Sequence, residues 1–96
     1  MKSGFKIYVT PQFERLARKL LKAHPRFQQL LAEAQTILGN DPVNVARGHA
    51  IKKLRGVPAG EGQYRLRLGR FRFRYDLSGK EVWLVYCGLR REGTYP

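Results

Sequence analysis

The sequence is poor in cysteine and in long apolar runs, and each absence excludes a class of protein. Cys87 is the single cysteine, so the chain forms no internal disulfide and no cysteine-based metal site. No apolar run approaches the ~18 residues that a membrane-spanning helix needs. The segment Met1 to Thr10 also lacks the apolar stretch of a secretory signal. We therefore expect a cytoplasmic protein that does not enter a membrane.

Acidic residues and histidines are scarce as well. Seven Asp and Glu residues stand against nineteen Lys and Arg, which gives a formal net charge of +12, and His24 and His49 are well separated. The sequence has no acidic pair, phosphate-binding glycine loop, HExxH motif or Ser/His/Asp set. We therefore expect neither a metal nor another cofactor. The twelve arginines among the basic residues predict a polyanionic partner and favour bidentate binding of phosphate.

The first half of the chain is typical of a strand followed by two helices. Phe5 to Val9 alternates between apolar and polar residues, and Thr10-Pro11 supplies an N-cap and a proline for the first helical position. Apolar residues then recur with helical spacing up to a break at His24-Pro25. The same spacing resumes at Pro25 and ends before Gly39, a residue that favours the end of a helix. This pattern predicts a helical hairpin.

The stretch Tyr64–Tyr75, YRLRLGRFRFRY, predicts the centre of the fold. Two strict alternations flank Gly69-Arg70, which is typical of two β-strands joined by a type II′ turn. Tyr64, Leu66 and Leu68 would then share one face with Phe71, Phe73 and Tyr75. The other face would place Arg65 opposite Arg74 and Arg67 opposite Arg72. Like charges directly opposite each other destabilise a sheet, so we interpret the arginine face as a binding site for a polyanion.

A third strand completes the predicted sheet. Ser78-Gly79 predicts a second turn, and Val82 to Cys87 is the most apolar strand of the chain. Its alternation would put Val82, Leu84 and Tyr86 on the core face, with Trp83 and Val85 beside the arginines. The sequence therefore predicts one α+β domain over residues 1–96. It would contain an N-terminal strand and a two-helix hairpin packed on a three-strand antiparallel meander.

Clustered arginines suit one kind of chemistry. They can bind a phosphodiester and stabilise the extra charge of a pentacoordinate phosphorane, although arginine stays protonated and cannot serve as a general base. RNA carries its own nucleophile, the 2′-hydroxyl. A protein that held the strand in line would therefore leave a 2′,3′-cyclic phosphate and a 5′-hydroxyl. Tyr95 is the candidate for proton transfer, because nearby cations favour the phenolate, and it would equally suit stacking on a base.

An ordered set of residues resembles the RelE/ParE toxin superfamily, and is closest to its RelE-type mRNA interferases. The set runs through Lys53-Leu54-Arg55-Gly56, Tyr64 to Leu68, Phe71 to Tyr75, Gly88-Leu89-Arg90-Arg91 and Tyr95. The similarity covers nearly the whole chain. Arginines stand at two positions, Arg65 and Arg67, where relatives commonly carry lysines, and Leu89 replaces a common His or Lys.

The resemblance implies the toxin of a bacterial toxin–antitoxin pair. Such a toxin cuts mRNA in the ribosomal A site and is neutralised by a small antitoxin in a hetero-oligomer. By position, the catalytic residues that it implies are Arg65, Arg67, Arg72, Arg90 and Tyr95. The residues expected to contact messenger or ribosomal RNA are Lys52, Lys53, Arg55, Arg70, Arg74 and Arg91.

Two other functions fit the same residues. A ParE-type toxin would share the fold and poison DNA gyrase by protein–protein contact, without nuclease activity. A non-catalytic basic module would bind RNA by charge alone, and its affinity would fall with salt by a log–log slope of about −0.7 per phosphate contact on a single strand.

Overall fold

A computed structural model describes residues 4–89. In chain order the elements are β1 (Lys6–Val9), α1 (Pro11–Ala23), α2 (Phe27–Asn40), β2 (Ile51–Lys53), β3 (Tyr64–Leu68), β4 (Phe71–Ser78) and β5 (Glu81–Leu89). The predicted α+β class is therefore confirmed. The predicted three-strand sheet is wrong in size, because the five strands form one mixed sheet in the order β1-β5-β4-β3-β2.

The two additional strands lie at the edges of the predicted meander. β3, β4 and β5 pair antiparallel, as the sequence predicted. β1 lies parallel to β5, and the backbone N–H groups of Lys6 and Thr10 donate to the carbonyls of Lys80 and Leu84 at 2.9 and 3.1 Å. β2 pairs antiparallel with β3. Three residues, Ile51–Lys53, are too few to show the alternation that identifies a strand.

The helical hairpin is present, and it differs from the prediction at the two ends of α2. The Thr10 hydroxyl accepts a hydrogen bond from the Phe13 N–H at 3.2 Å and caps α1, as predicted. His24 ends α1, and α2 begins at Phe27 rather than at Pro25. α2 also continues one residue past Gly39. Neither described helix has the length and apolar character that crossing a membrane would require.

Both helices cover the apolar face of the sheet. The buried core combines residues of α1, α2 and the three central strands: Phe13, Ala17, Phe27, Ala34, Ile37, Leu38, Leu66, Phe71, Phe73, Tyr75, Val82, Leu84 and Cys87. The Tyr75 hydroxyl donates to the Pro42 carbonyl at 2.6 Å, and burial raises the pKa of this phenol. The opposite face of the sheet carries the arginines.

A β-bulge changes which residues of β5 point toward the core. Tyr75 pairs with Leu84, but Arg74 pairs with Tyr86, so Val85 is an extra residue on β5. The prediction that Tyr86 lies on the core face is therefore wrong. Cys87 is buried in its place, with 1% of its surface exposed. The bulge shifts the alternation by one residue and moves Tyr86 to the arginine face.

Candidate nucleic-acid interface

The arginine face of the β3–β4 hairpin has the predicted register. Arg65 pairs with Arg74 and Arg67 pairs with Arg72. Gly69 has φ +58°, and Arg70 has a negative φ, which fits a type II′ turn and not type I′. Leu68 and Phe71, which flank such a turn, form a hydrogen-bonded pair. The two arginine pairs are then the non-hydrogen-bonded kind, with Cα atoms about 4.5 Å apart and side chains close together.

Cross-strand pairing extends the arginine cluster in both directions. One row runs Lys52, Arg65, Arg74 and Tyr86 across four neighbouring strands. The next row contains Arg67, Arg72 and Gly88. Residues two apart on one strand lie about 7 Å from each other. The arginine cluster therefore places five cations on three neighbouring strands: Lys52, Arg65, Arg67, Arg72 and Arg74.

The arginines differ in how firmly the fold holds them. Arg65, Arg72 and Arg74 are half-buried, whereas Arg67 is exposed. The Nε atoms of Arg65 and Arg72 are shielded from solvent. Arg74 donates from Nε to the Gly62 carbonyl at 3.2 Å. Three guanidinium groups are thus partly desolvated, which strengthens their electrostatic interactions with an anion.

A buried carboxylate, Asp76, fixes the loop that borders this face. One oxygen of Asp76 accepts from the N–H groups of Gly60 and Gly62, both at 3.1 Å, and the other accepts from the Gln63 N–H at 3.0 Å. Only 9% of Asp76 is exposed. Its two oxygens therefore serve to hold the loop. The sequence analysis missed this role, although Asp76 is the single acidic residue of the arginine-rich strand β4 and directly follows Tyr75.

Tyr86 is the other functional candidate that the sequence did not indicate. It is 37% exposed and pairs with Arg74 on the arginine face. Its ring lies over Gly88: a β-carbon built on Gly88 would overlap the Tyr86 hydroxyl and lie 2.9 Å from Cζ. No local pattern in the sequence predicts the bulge that brings this tyrosine to the arginines.

Aromatic residues also occupy the β1 end of the same face. Trp83 pairs with Asp76, so it lies beside the arginine face as predicted. The Trp83 ring stacks on Tyr8, with ring centroids 4.7 Å apart, and its Nε1 donates to Glu81 at 3.0 Å. The structure therefore shows Trp83 packed against the neighbouring strand β1. Each ring is still 36% exposed.

The remaining predicted RNA contacts are spread over several surfaces. Lys52 joins the arginine face, but Lys53 points to the other side, where its Nζ lies 5.7 Å from the Tyr64 ring centroid. Arg55 is exposed in the turn after β2, and Arg70 is exposed at the tip of the central hairpin. The predicted residues Arg90, Arg91 and Tyr95 lie outside the described residues.

Neither the histidines nor the thiol forms part of the arginine cluster. His24 ends α1 and contacts the edge of the Phe71 ring, with centroids 5.5 Å apart, and His49 is exposed in a loop. Burial raises the pKa of the Cys87 thiol to about 12. Within residues 4–89, His, Cys, Asp and Glu form no group of three that could hold a metal ion.

Comparison with known proteins adds no assignment. No family model matches the chain, and neither a curated protein nor a solved structure is significantly similar to it.

Proposed function

We propose that this protein is the toxin of a toxin–antitoxin pair and acts as a metal-independent endoribonuclease of RelE type. Its substrate is mRNA in the ribosomal A site. The 2′-hydroxyl attacks the adjacent phosphorus, the bond to the 5′-oxygen of the next nucleotide breaks, and a 2′,3′-cyclic phosphate remains. Two cross-strand arginine pairs carry this proposal, Arg65–Arg74 and Arg67–Arg72. Both lie on the side of the sheet that the helices leave uncovered.

The arginine geometry supports stabilisation of a phosphorane. Arg65, Arg67, Arg72 and Arg74 converge from two adjacent strands. Removing one well-placed donor to a developing oxyanion typically costs about 10²–10³ in rate. Arg65, Arg72 and Arg74 are half-buried and each faces another arginine, so an added phosphate relieves repulsion on both strands. Arg74 is anchored to Gly62 and contributes chiefly to positioning.

Proton transfer requires a group other than arginine. We assign alignment or deprotonation of the 2′-hydroxyl to Tyr95, with Arg90 as a further cation at the phosphate. Both assignments come from the resemblance to RelE-type interferases. Lys52 lies in the same row as Arg65 and extends the path for the RNA backbone toward the β2 edge.

The partners follow from the charge of the face. A protein with net charge +12 and five cations on one patch attracts acidic partners. We propose that a small acidic antitoxin lies over the arginine face in the cytoplasm and forms a hetero-oligomer with the toxin.

A non-catalytic RNA-binding module is the second candidate. The observation in its favour is the set of exposed rings, Tyr8, Trp83 and Tyr86, on the same face as the arginines. Rings beside cations are how many proteins hold single-stranded nucleic acid without reacting with it.

Mapping 5′ ends of translated mRNA after induction in cells tests the proposal. The wild type should give codon-aligned cuts, Arg72→Ala should abolish them, and Tyr95→Phe should reduce them strongly. Arg18→Ala removes the same charge from the exposed side of α1 and should cut normally. Intact mRNA with DNA damage signalling would instead identify a ParE-type gyrase poison. Intact mRNA with tight RNA binding would identify the non-catalytic module.

A reconstituted translation reaction tests the chemistry itself. RNA ends produced by the toxin should carry 2′,3′-cyclic phosphate. Substituting 2′-O-methyl at the nucleotide before the cut should block cleavage, because it removes the nucleophile. A transition-metal chelator is then added to a purified mixture of ribosomes and toxin that contains just enough magnesium to preserve the ribosome. The cleavage rate should remain unchanged. Loss of cleavage with transition-metal chelators would contradict a metal-independent mechanism.

A further inference from the structure

A cleft lies beside the arginine cluster, and Val85, the bulged residue of β5, forms part of its lining. The cleft has a volume of about 310 Å³ and is lined by Gln12, Gly60, Glu61, Arg74, Val85 and Tyr86. A volume near 300 Å³ is at the small end of the range for ligand pockets. It brings together an aromatic ring, a guanidinium, an amide and a carboxylate, contributed by α1, β4, β5 and the loop before β3.

Hydrogen bonds hold two parts of this cleft in place, and a glycine leaves room for a third. The Tyr86 ring lies over Gly88, where no β-carbon obstructs it. Arg74 is fixed by its hydrogen bond to the Gly62 carbonyl. Glu61 lies between Gly60 and Gly62, whose N–H groups are both bound by Asp76. The cleft is therefore preorganised, which lowers the entropic cost of binding a ligand.

We propose that this cleft is a subsite for one unstacked nucleobase of the RNA strand, with Tyr86 as its stacking surface. The inference rests on the proposed function, because it places the base next to a phosphate held by Arg72 and Arg74. Tyr86 of β5 pairs with Arg74 of β4, and Gly88 pairs with Arg72 in the next cross-strand row. A backbone that crosses the arginines therefore brings its adjacent base over the ring. Tyr86 is a positioning and specificity residue, and it transfers no proton.

The carboxylate of Glu61 determines which bases fit. A carboxylate accepts hydrogen bonds and donates none at neutral pH. Adenine, guanine and cytosine each present an exocyclic amino group, whereas the one donor on the pairing edge of uracil, N3–H, is flanked by two carbonyl oxygens that a carboxylate repels. Glu61 should therefore favour amino-bearing bases and disfavour uracil. Gln12 has both a donor and an acceptor, so it adds contacts without a strong preference.

Fluorescence anisotropy with short 2′-O-methyl oligonucleotides tests the subsite, because these probes cannot be cut by 2′-hydroxyl attack. Labelled hexamers of A, C and U are titrated at fixed low salt. Tyr86→Ala should weaken binding of the A hexamer about 5- to 150-fold, the range expected for losing one stacked base. Tyr86→Phe should bind within about twofold of the wild type, because the ring is kept. Glu61→Gln should reduce the preference for A and C over U.

Three controls make the outcome decisive. Leu21→Ala removes an apolar side chain of α1 that is as exposed as Tyr86, at 37%, and should bind normally. Gly88→Ala keeps the tyrosine but displaces its ring, so it should weaken binding like Tyr86→Ala. A probe with one internal abasic position should bind more weakly to the wild type and lose sensitivity to Tyr86→Ala.

The failure of this inference can be told apart from failure of the proposed function. Tight, salt-dependent binding that requires Arg72 but is indifferent to Tyr86→Ala and Gly88→Ala overturns the nucleobase subsite alone. Absence of any binding by the wild type overturns RNA recognition by the arginine face, and the subsite with it. Binding of the U hexamer that equals the A hexamer, with Tyr86 required, would contradict the role of Glu61.

Discussion

The carboxylate of Asp76 is the most informative single group to alter, because three backbone N–H groups converge on it. Replacing Asp76 with Asn keeps the shape and removes one acceptor oxygen. One Asp76 oxygen serves Gly60 and Gly62, and the other serves Gln63. Whichever way the amide turns, at least one N–H loses its acceptor and faces an NH₂ group. The bonds that remain are no longer charge-assisted.

These contacts set the size of the expected loss. A hydrogen bond to a charged group contributes about 1.5–3 kcal/mol, and a buried donor left without an acceptor costs about 1–3 kcal/mol. Relaxation of the loop toward water recovers part of this. We therefore expect Asp76→Asn to lower the free energy of unfolding by about 2–4 kcal/mol. A domain of this size has only about 5–10 kcal/mol in total.

Equilibrium denaturation in urea and amide hydrogen exchange measure this effect. Exchange of the Gly60, Gly62 and Gln63 amides should accelerate, while amides inside α2 should be affected only through global unfolding. Glu33→Gln neutralises an exposed carboxylate on α2 and should change stability by less than about 0.5 kcal/mol. If Asp76→Asn is no more costly than Glu33→Gln, the carboxylate does not hold the loop and the wall of the cleft is not fixed as described.

Three further predictions concern Gly62, the Arg67–Arg72 pair and Cys87. Gly62→Ala should destabilise more than Gly56→Ala by about 1–3 kcal/mol. Both glycines have left-handed φ, of +84° and +72°, but only at Gly62 would a β-carbon come within 2.9 Å of other side chains; equal losses in urea denaturation would refute the overlap. Arg67→Gln should raise stability by about 0.2–1 kcal/mol at low salt, because it relieves repulsion with Arg72, and the gain should vanish near 1 M salt; a gain that salt does not reduce would contradict this. Finally, the Cys87 thiol has a folded-state pKa of about 12 against 9.0 ordinarily, so its contribution to stability is complete below pH 9 and declines as pH rises toward 12. Denaturation midpoints measured from pH 8 to 10 should therefore fall less steeply in Cys87→Ala, and identical slopes would count against this assignment.

Local patterns predicted the parts of the fold that depend on neighbouring residues. The alternation in YRLRLGRFRFRY and the glycine at its centre determine both the register and the turn, because side-chain direction in a strand has period two. Thr10-Pro11 likewise specified the start of α1. These signals are short-range and required no knowledge of the rest of the chain.

The errors over the bulge in β5 and the end of α2 have a different origin, since both lie at contacts between distant segments. The bulge at Val85 lies next to the loop before β3: a β-carbon on Gly62 would lie 2.9 Å from Val85 Cγ2. Sequence reasoning assumed an unbroken alternation and so placed Tyr86 in the core. At the end of α2, the N–H of Phe5, the residue before β1, donates to the Gly39 carbonyl at 3.1 Å, a contact that the local sequence does not reveal.

The facing arginine pairs cost the isolated protein stability, and the fold makes that cost unavoidable. Each pair destabilises the sheet by about 0.2–1 kcal/mol, and the short turn at Gly69 prevents the strands from slipping to another register. A bound polyanion would make the electrostatic contribution of each arginine pair favourable, because each phosphate interacts favourably with both members of a pair. Binding at a hundred times Kd would add about 2.7 kcal/mol, several times what one pair costs. This balance supports the proposal that the arginine face binds a polyanion, either an RNA strand or the acidic residues of an antitoxin.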